Sequence, residues 1–146
     1  MTNVDVVKED VVHRALARLR SIHGLITASL VEPNSAQVLE SVDAGSDGKV
    51  SAATTFAAGA CDIVQVIGLM TASLGDPDEL EDVIITLGQR HHLITPLPTA
   101  GTDGLLIVVT LDRAHTNLAM ARQQLRALGP LLDPPSPSAV TPSRVR

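Results

Sequence analysis

The chain has 146 residues, 45% of them hydrophobic and 18% charged, with a formal net charge of -5. That length and hydrophobic content suit one domain with a packed core and exclude wholesale disorder. The acidic balance and the single aromatic residue, Phe56, argue against nucleic-acid binding, which draws on cationic patches and on rings that stack with bases.

Apolar residues recur at three- and four-residue steps from Val7 to Ile22, predicting a helix over 5–21 with Gly24 as its C-cap. Leu25 to Val31 and Gln37 to Val42 read as strands around a Glu32-Pro33-Asn34-Ser35 turn. Asp47 is placed to cap a helix from Lys49 to Leu74, ~40 Å long at ~1.5 Å per residue, which Gly75 and Pro77 stop. Val83 to Leu87, Leu93 to Leu97 and Leu105 to Leu111 read as three more strands. The last is almost wholly apolar, as in a strand buried on both faces. Ala114 to Leu128 is an amphipathic helix that Gly129 and Pro130 are expected to end. Prolines then crowd the C-terminus, so the domain is read as 1–129 and residues 130–146 as a disordered tail. The order is α-β-β-α-β-β-β-α, an α+β fold. Hairpin-length connections imply an antiparallel sheet with helical cover on both faces.

The element order and three stretches of sequence resemble one family. The stretches are His23-Gly24-Leu25, Arg90-His91-His92-Leu93-Ile94-Thr95-Pro96-Leu97, and the run Gly104 to Arg113 followed by Asn117-Leu118-Ala119-Met120-Ala121-Arg122. Over residues 8 to 129 the chain resembles the Roadblock/dynein light chain family, its bacterial members in particular. Family members commonly turn between the first two strands with Asp-Gly, where this chain has Glu32-Pro33-Asn34-Ser35. The resemblance implies a five-stranded antiparallel sheet with one long helix on one face and the two terminal helices on the other. It also implies a homodimer, or a heterodimer with a paralogous Roadblock chain, that serves a Ras-like small GTPase as regulator or scaffold.

Catalytic and metal chemistry find little support. Cys61 is the single cysteine, which excludes an internal disulfide and a multi-Cys zinc site and fits a reducing compartment. It sits in an Ala-rich helical run with no nearby cation to lower its pKa, and so reads as a small packed thiol. His91 and His92 are adjacent and point to opposite faces of a strand, while His13, His23 and His115 have no ligand-type spacing. Gly45 to Ser51 lacks the phosphate-loop pattern, and Asp43 and Asp47 beside it would repel phosphate. Asp76, Asp78, Glu79, Glu81 and Asp82 lack calcium-loop spacing and read as a solvated acidic loop. The terminal helices carry Arg14, Arg18, Arg20, Arg122 and Arg126, also read as solvated. No acid, base and nucleophile set can be assembled, so no enzyme activity and no cofactor are expected. Neither a signal peptide nor ~20 uninterrupted apolar residues is present, so no membrane insertion is expected and the chain is placed in the cytoplasm.

The long helix carries the functional expectation. On a helical wheel Ala53, Phe56, Ala60, Ile63, Ile67, Met70 and Leu74 share a face that should cover the sheet. The opposite face carries Ser51, Thr54, Thr55, Ala58, Cys61, Asp62, Gln65, Gly68, Leu69 and Ala72, with little of the charge a solvent face normally has. Small side chains allow close backbone approach, so Ser51, Thr54, Thr55, Ala58, Cys61, Asp62, Gln65, Leu69 and Ala72 are read as a dimer or partner interface. The leading function is a non-catalytic dimeric module acting on a Ras-like GTPase. The alternative is a ligand-sensing or protein-interaction scaffold with no GTPase partner.

Overall fold

Gly24 marks the first point at which the backbone needs a particular residue. Its φ is +87°, and a Cβ there would run into the Oγ1 of Thr116. A computed structural model of the chain describes residues 12–43, 50–75, 78–97 and 104–132. The elements are α1 (12–19), β1 (Leu25–Glu32), β2 (Gln37–Asp43), α2 (Val50–Ser73), β3 (Val83–Thr86), β4 (Arg90–Leu97), β5 (Leu105–Asp112), α3 (Leu118–Arg126) and α4 (Leu128–Leu132). A 3₁₀ turn, Arg113–His115, joins β5 to α3. Residues 5–11, Asp47, the Gly45 segment up to residue 49, Asp76, Pro77, the turn at 98–103 and the tail beyond Leu132 lie outside the described residues.

All strand pairs are antiparallel, in the order β2-β1-β5-β4-β3. The sheet therefore closes in the middle by pairing its first and last strands, and β5 is buried along nearly its whole length as its apolar run predicts. The β1–β2 turn keeps its form without the Asp-Gly pair. The Glu32 carboxylate accepts from the Ser35 hydroxyl at 2.7 Å and from the backbone N–H groups of Ser35 and Asn34 at 2.8 and 3.1 Å. Those bonds, the Ser35 hydroxyl first, hold Glu32 below the usual carboxylate range. Ala36 then takes the left-handed conformation, φ +59°, that a glycine would adopt without steric penalty.

Each sheet face has its own core. On one face α1, α3 and α4 bring Leu16, Leu19, Leu125 and Leu128 onto Leu30, Leu93, Leu97, Ile107 and Leu111. On the other, α2 sets Ala57, Ala60 and Cys61 on Val31, Ile94, Leu106 and Val108. One long helix on one face and the terminal helices on the other is the expected layout.

Two expectations at the ends of elements need correction. The fourth strand begins at Arg90, three residues before the expected Leu93, because Arg90, His91 and His92 pair with Asp112, Leu111 and Thr110 of β5. The last helix does not run from Ala114 to Leu128. Asp112 caps the 3₁₀ turn, Asn117 caps α3 through its side chain to Met120 N–H, and α3 ends at Arg126. Nor do Gly129 and Pro130 stop the helical chain, since both lie inside α4. Proline is tolerated in a first helical turn, where its missing N–H has no intrahelical partner to lose.

Candidate interface on the second helix

The α2 sequence contains one charged residue, Asp62, in 24. The helix ends where Gly75 takes φ +92° and donates to the Ala72 carbonyl at 3.1 Å, with Ser73 Oγ bonded back to Met70 at 2.6 Å. By length and composition alone Ala53–Ser73 would qualify as a membrane span, with a mean hydropathy of 1.5. In the fold its inner side is packed against the sheet.

The side on which it packs matches the wheel reading at Ala60, Phe56 and Ile63 and differs from it elsewhere. Ala57, Ala60 and Cys61 are buried against the sheet, with Phe56, Ile63 and Val64 partly buried beside them. Met70 and Leu74, expected to cover the sheet, are 63% and 82% exposed. Cys61, expected on the outer face, is only 7% exposed. The helix is thus turned by the better part of one residue step, ~100° at 3.6 residues per turn. Small residues at 57, 60 and 61 let the backbone approach the sheet, and the bulkier Phe56 is displaced to the flank. There its ring meets His92 edge-on, centroids 4.7 Å apart.

The remaining residues read as an interface keep their outward position. Thr54, Thr55, Ala58, Asp62, Gln65, Leu69 and Ala72 are all exposed, and Leu69 reaches 74%. Ser51 lies in α2, but its side chain is outside the described residues. Sequence reasoning missed the exposed apolar side chains of Met70 and Leu74, which periodicity alone assigns to the sheet, and of Val66, which it assigned to neither face. A shallow groove of about 330 Å³ runs under this end of the helix, between Ile67, Thr71 and the segment holding Asp78 and Leu80.

The titratable groups are arranged for structure. Burial, then the neighbouring Asp62 and Glu32 charges, pushes the Cys61 thiol up, away from the reactive thiolate. His91 and His92 lie on opposite faces as expected. His92 pairs with the Thr110 hydroxyl at 3.0 Å, and burial, then the Arg90 charge, lowers its pKa. His91 is buried, 3.5 Å from Thr86 Oγ1. The acidic loop is not wholly solvated. Asp82 accepts from Arg122 Nε at 2.8 Å and lies 3.6 Å from Arg126, so it ties the lead-in to β3 onto α3 and neutralises part of the basic helical side. Among the described residues no group of three His, Cys, Asp or Glu side chains could hold a metal ion.

No family model matches the chain, and no curated protein matches it. Solved structures do. It is similar to MglB of Myxococcus xanthus, with 17% identity and a TM-score of 0.71, covering 85% of this chain and 86% of that one. The gliding protein MglB of Thermus thermophilus gives 14% identity and a TM-score of 0.71 over 86% and 87% of the two chains. A Roadblock/LC7 domain from Streptomyces avermitilis gives 16% identity and a TM-score of 0.63 over 77% and 86%. With the five-stranded antiparallel sheet and its helical layers, these matches show that the chain has a Roadblock-like fold.

Proposed function

We propose that this chain is a non-catalytic, dimeric regulatory module for a Ras-like small GTPase, acting in the cytoplasm as a homodimer or with a paralogous Roadblock chain. The observation that carries the reading is the outer surface of α2, where Val66, Leu69, Met70 and Leu74 are left exposed on a helix with one charged residue. Monomers rarely leave an apolar surface of that kind facing water, and protein contact is the usual reason for one. The Roadblock-like fold supports the GTPase as partner, through the family role that the sequence resemblance implies. The outward residues Thr54, Thr55, Ala58, Asp62, Gln65, Leu69 and Ala72, together with Ser51, form the proposed partner surface. Cys61 leaves that set because it is buried.

An affinity pull-down from native cytoplasm, followed by nucleotide-hydrolysis assays on any GTPase recovered, tests the reading. A small GTPase should be captured and its hydrolysis or exchange altered by the chain. The purified chain alone should bind no GTP in calorimetry. Micromolar GTP binding by the chain itself, or capture of partners that never include a GTPase, would defeat the proposal.

A further inference from the structure

At the end of the sheet where β3 turns into β4, an open cleft of about 640 Å³ lies between that turn and the 3₁₀ turn. Its volume falls within the range of small-molecule sites, and none of its described lining residues belongs to α2. Ile26 supplies an apolar wall. It sits at the register break between β1 and β5, and a bulge of that kind re-aims a side chain. The Gly88-Gln89 turn is part of the lining, and the charges come from Arg90, Asp112 and Arg113.

The two arginines are held differently. Arg113 is fixed to the turn, its backbone N–H donating to the Gln89 carbonyl and its Nη1 to the Leu87 carbonyl, each at 3.0 Å. Arg90 stands directly opposite Asp112 in the β4–β5 register, where opposite charges ordinarily pair. Asp112 is engaged elsewhere. One of its carboxylate oxygens accepts from the Ala114 N–H at 3.1 Å, and the other lies 2.9 Å from His115 Nδ1. Those bonds, the one to His115 first, hold Asp112 below the usual carboxylate range. The Arg90 charge is felt at Asp112, yet among the described residues Arg90 makes no hydrogen bond and no ion pair through its side chain. The cleft thus keeps a guanidinium whose natural partner is occupied.

We propose that this cleft binds a small organic carboxylate, its charged end on Arg90 and Arg113 and its apolar body against Ile26. A guanidinium presents its N–H groups in a fork that matches a carboxylate. Arg113 has donors to spare after its bond to Leu87. Two arginines against one aspartate leave one net positive charge, which a carboxylate balances and a phosphate dianion would exceed. The site needs neither a second copy of the chain nor a GTPase, so it stands or falls separately from the function proposed above.

Hexanoate is the probe, followed by amide NMR titration of the full chain. It should shift the Gly88, Gln89 and Arg113 signals saturably, whereas hexanol and inorganic phosphate should bind roughly 10-fold more weakly or worse. Arg90→Gln should weaken hexanoate binding by roughly 10-fold or more. Arg90→Lys should weaken it less, since lysine keeps the charge and loses the fork. Signals remote from the cleft should stay in place in both variants, because the Arg90 side chain is exposed and bonded to nothing the fold relies on. Three results would overturn the proposal: no saturable shift at about 50 mM hexanoate, equal affinity in Arg90→Gln, or phosphate or hexanol bound as tightly as hexanoate.

Discussion

The two faces of the sheet are built from the same five strands and finished differently. Under α1, α3 and α4 the described core holds 18 buried residues, and under α2 it holds 7. The first is made of long side chains, Leu16, Leu19, Leu93, Leu111 and Leu125 among them, each with almost no surface left. The second relies on Ala57, Ala60 and Cys61 and leaves larger apolar groups outside. A face that closes on itself serves stability, and one that stays apolar and open is suited to contact with another chain.

The largest effect should separate the faces directly. Leu125→Ala, in the closed core, should remove about 2–5 kcal/mol of stability, and Val64→Ala, half-buried on the inner side of α2, about 1 kcal/mol. Urea unfolding measures both, and equal losses would break the comparison. Next comes Gly24→Ala at the junction of α1 and β1. A side chain at that positive φ would displace Thr116, whose hydroxyl donates to the carbonyls of Asp112 at 2.7 Å and His23 at 3.1 Å. A loss of about 2 kcal/mol is expected, seen as a lower thermal midpoint.

A smaller effect tests the link between the acidic loop and the closed face. Arg122→Ala should cost about 1 kcal/mol, because among the described residues the nearly buried Asp82 carboxylate then keeps only the more distant Arg126. The loss should shrink little in high salt, unlike that of an exposed pair. The shallowest effect is a pH dependence on the open face. His92 in the folded chain resists protonation, while in the unfolded chain it binds a proton as pH falls through about 6.5. The unfolded state therefore holds more protons, and stability should decline as pH falls from 7 through that value toward the lowered folded pKa. His92→Gln should flatten that part of the curve. A slope left unchanged by the substitution would place the titration elsewhere.

Much of this molecule is legible in the sequence because its signals are local. The period-two and period-3.6 patterns mark β1, β2, β3, β5 and α2 close to their ends, and Gly75 stops α2 where its composition says it should. The turn at Glu32 to Ala36 also follows from neighbours in sequence, since its bonds all run within a few residues. The C-terminal helix shows where that reasoning fails. Gly129-Pro130 is a stop by local rule, yet Leu128 is buried in the core and the chain takes another helical turn around it.

What only the tertiary structure decided are relations between residues far apart. The pairing of β1 with β5, on the order of eighty residues later, sets the strand order, and no local pattern encodes it. Asp82 meets Arg122 across forty positions for the same reason. The rotation of α2 is the most consequential case. Apolar and small residues lie nearly all round that helix, so periodicity admits more than one inner face. The sheet selects the one with the smallest side chains, because close approach there gives the best packing. That selection buries Cys61 and turns Met70 and Leu74 outward, and so determines which side chains of the helix face away from the sheet.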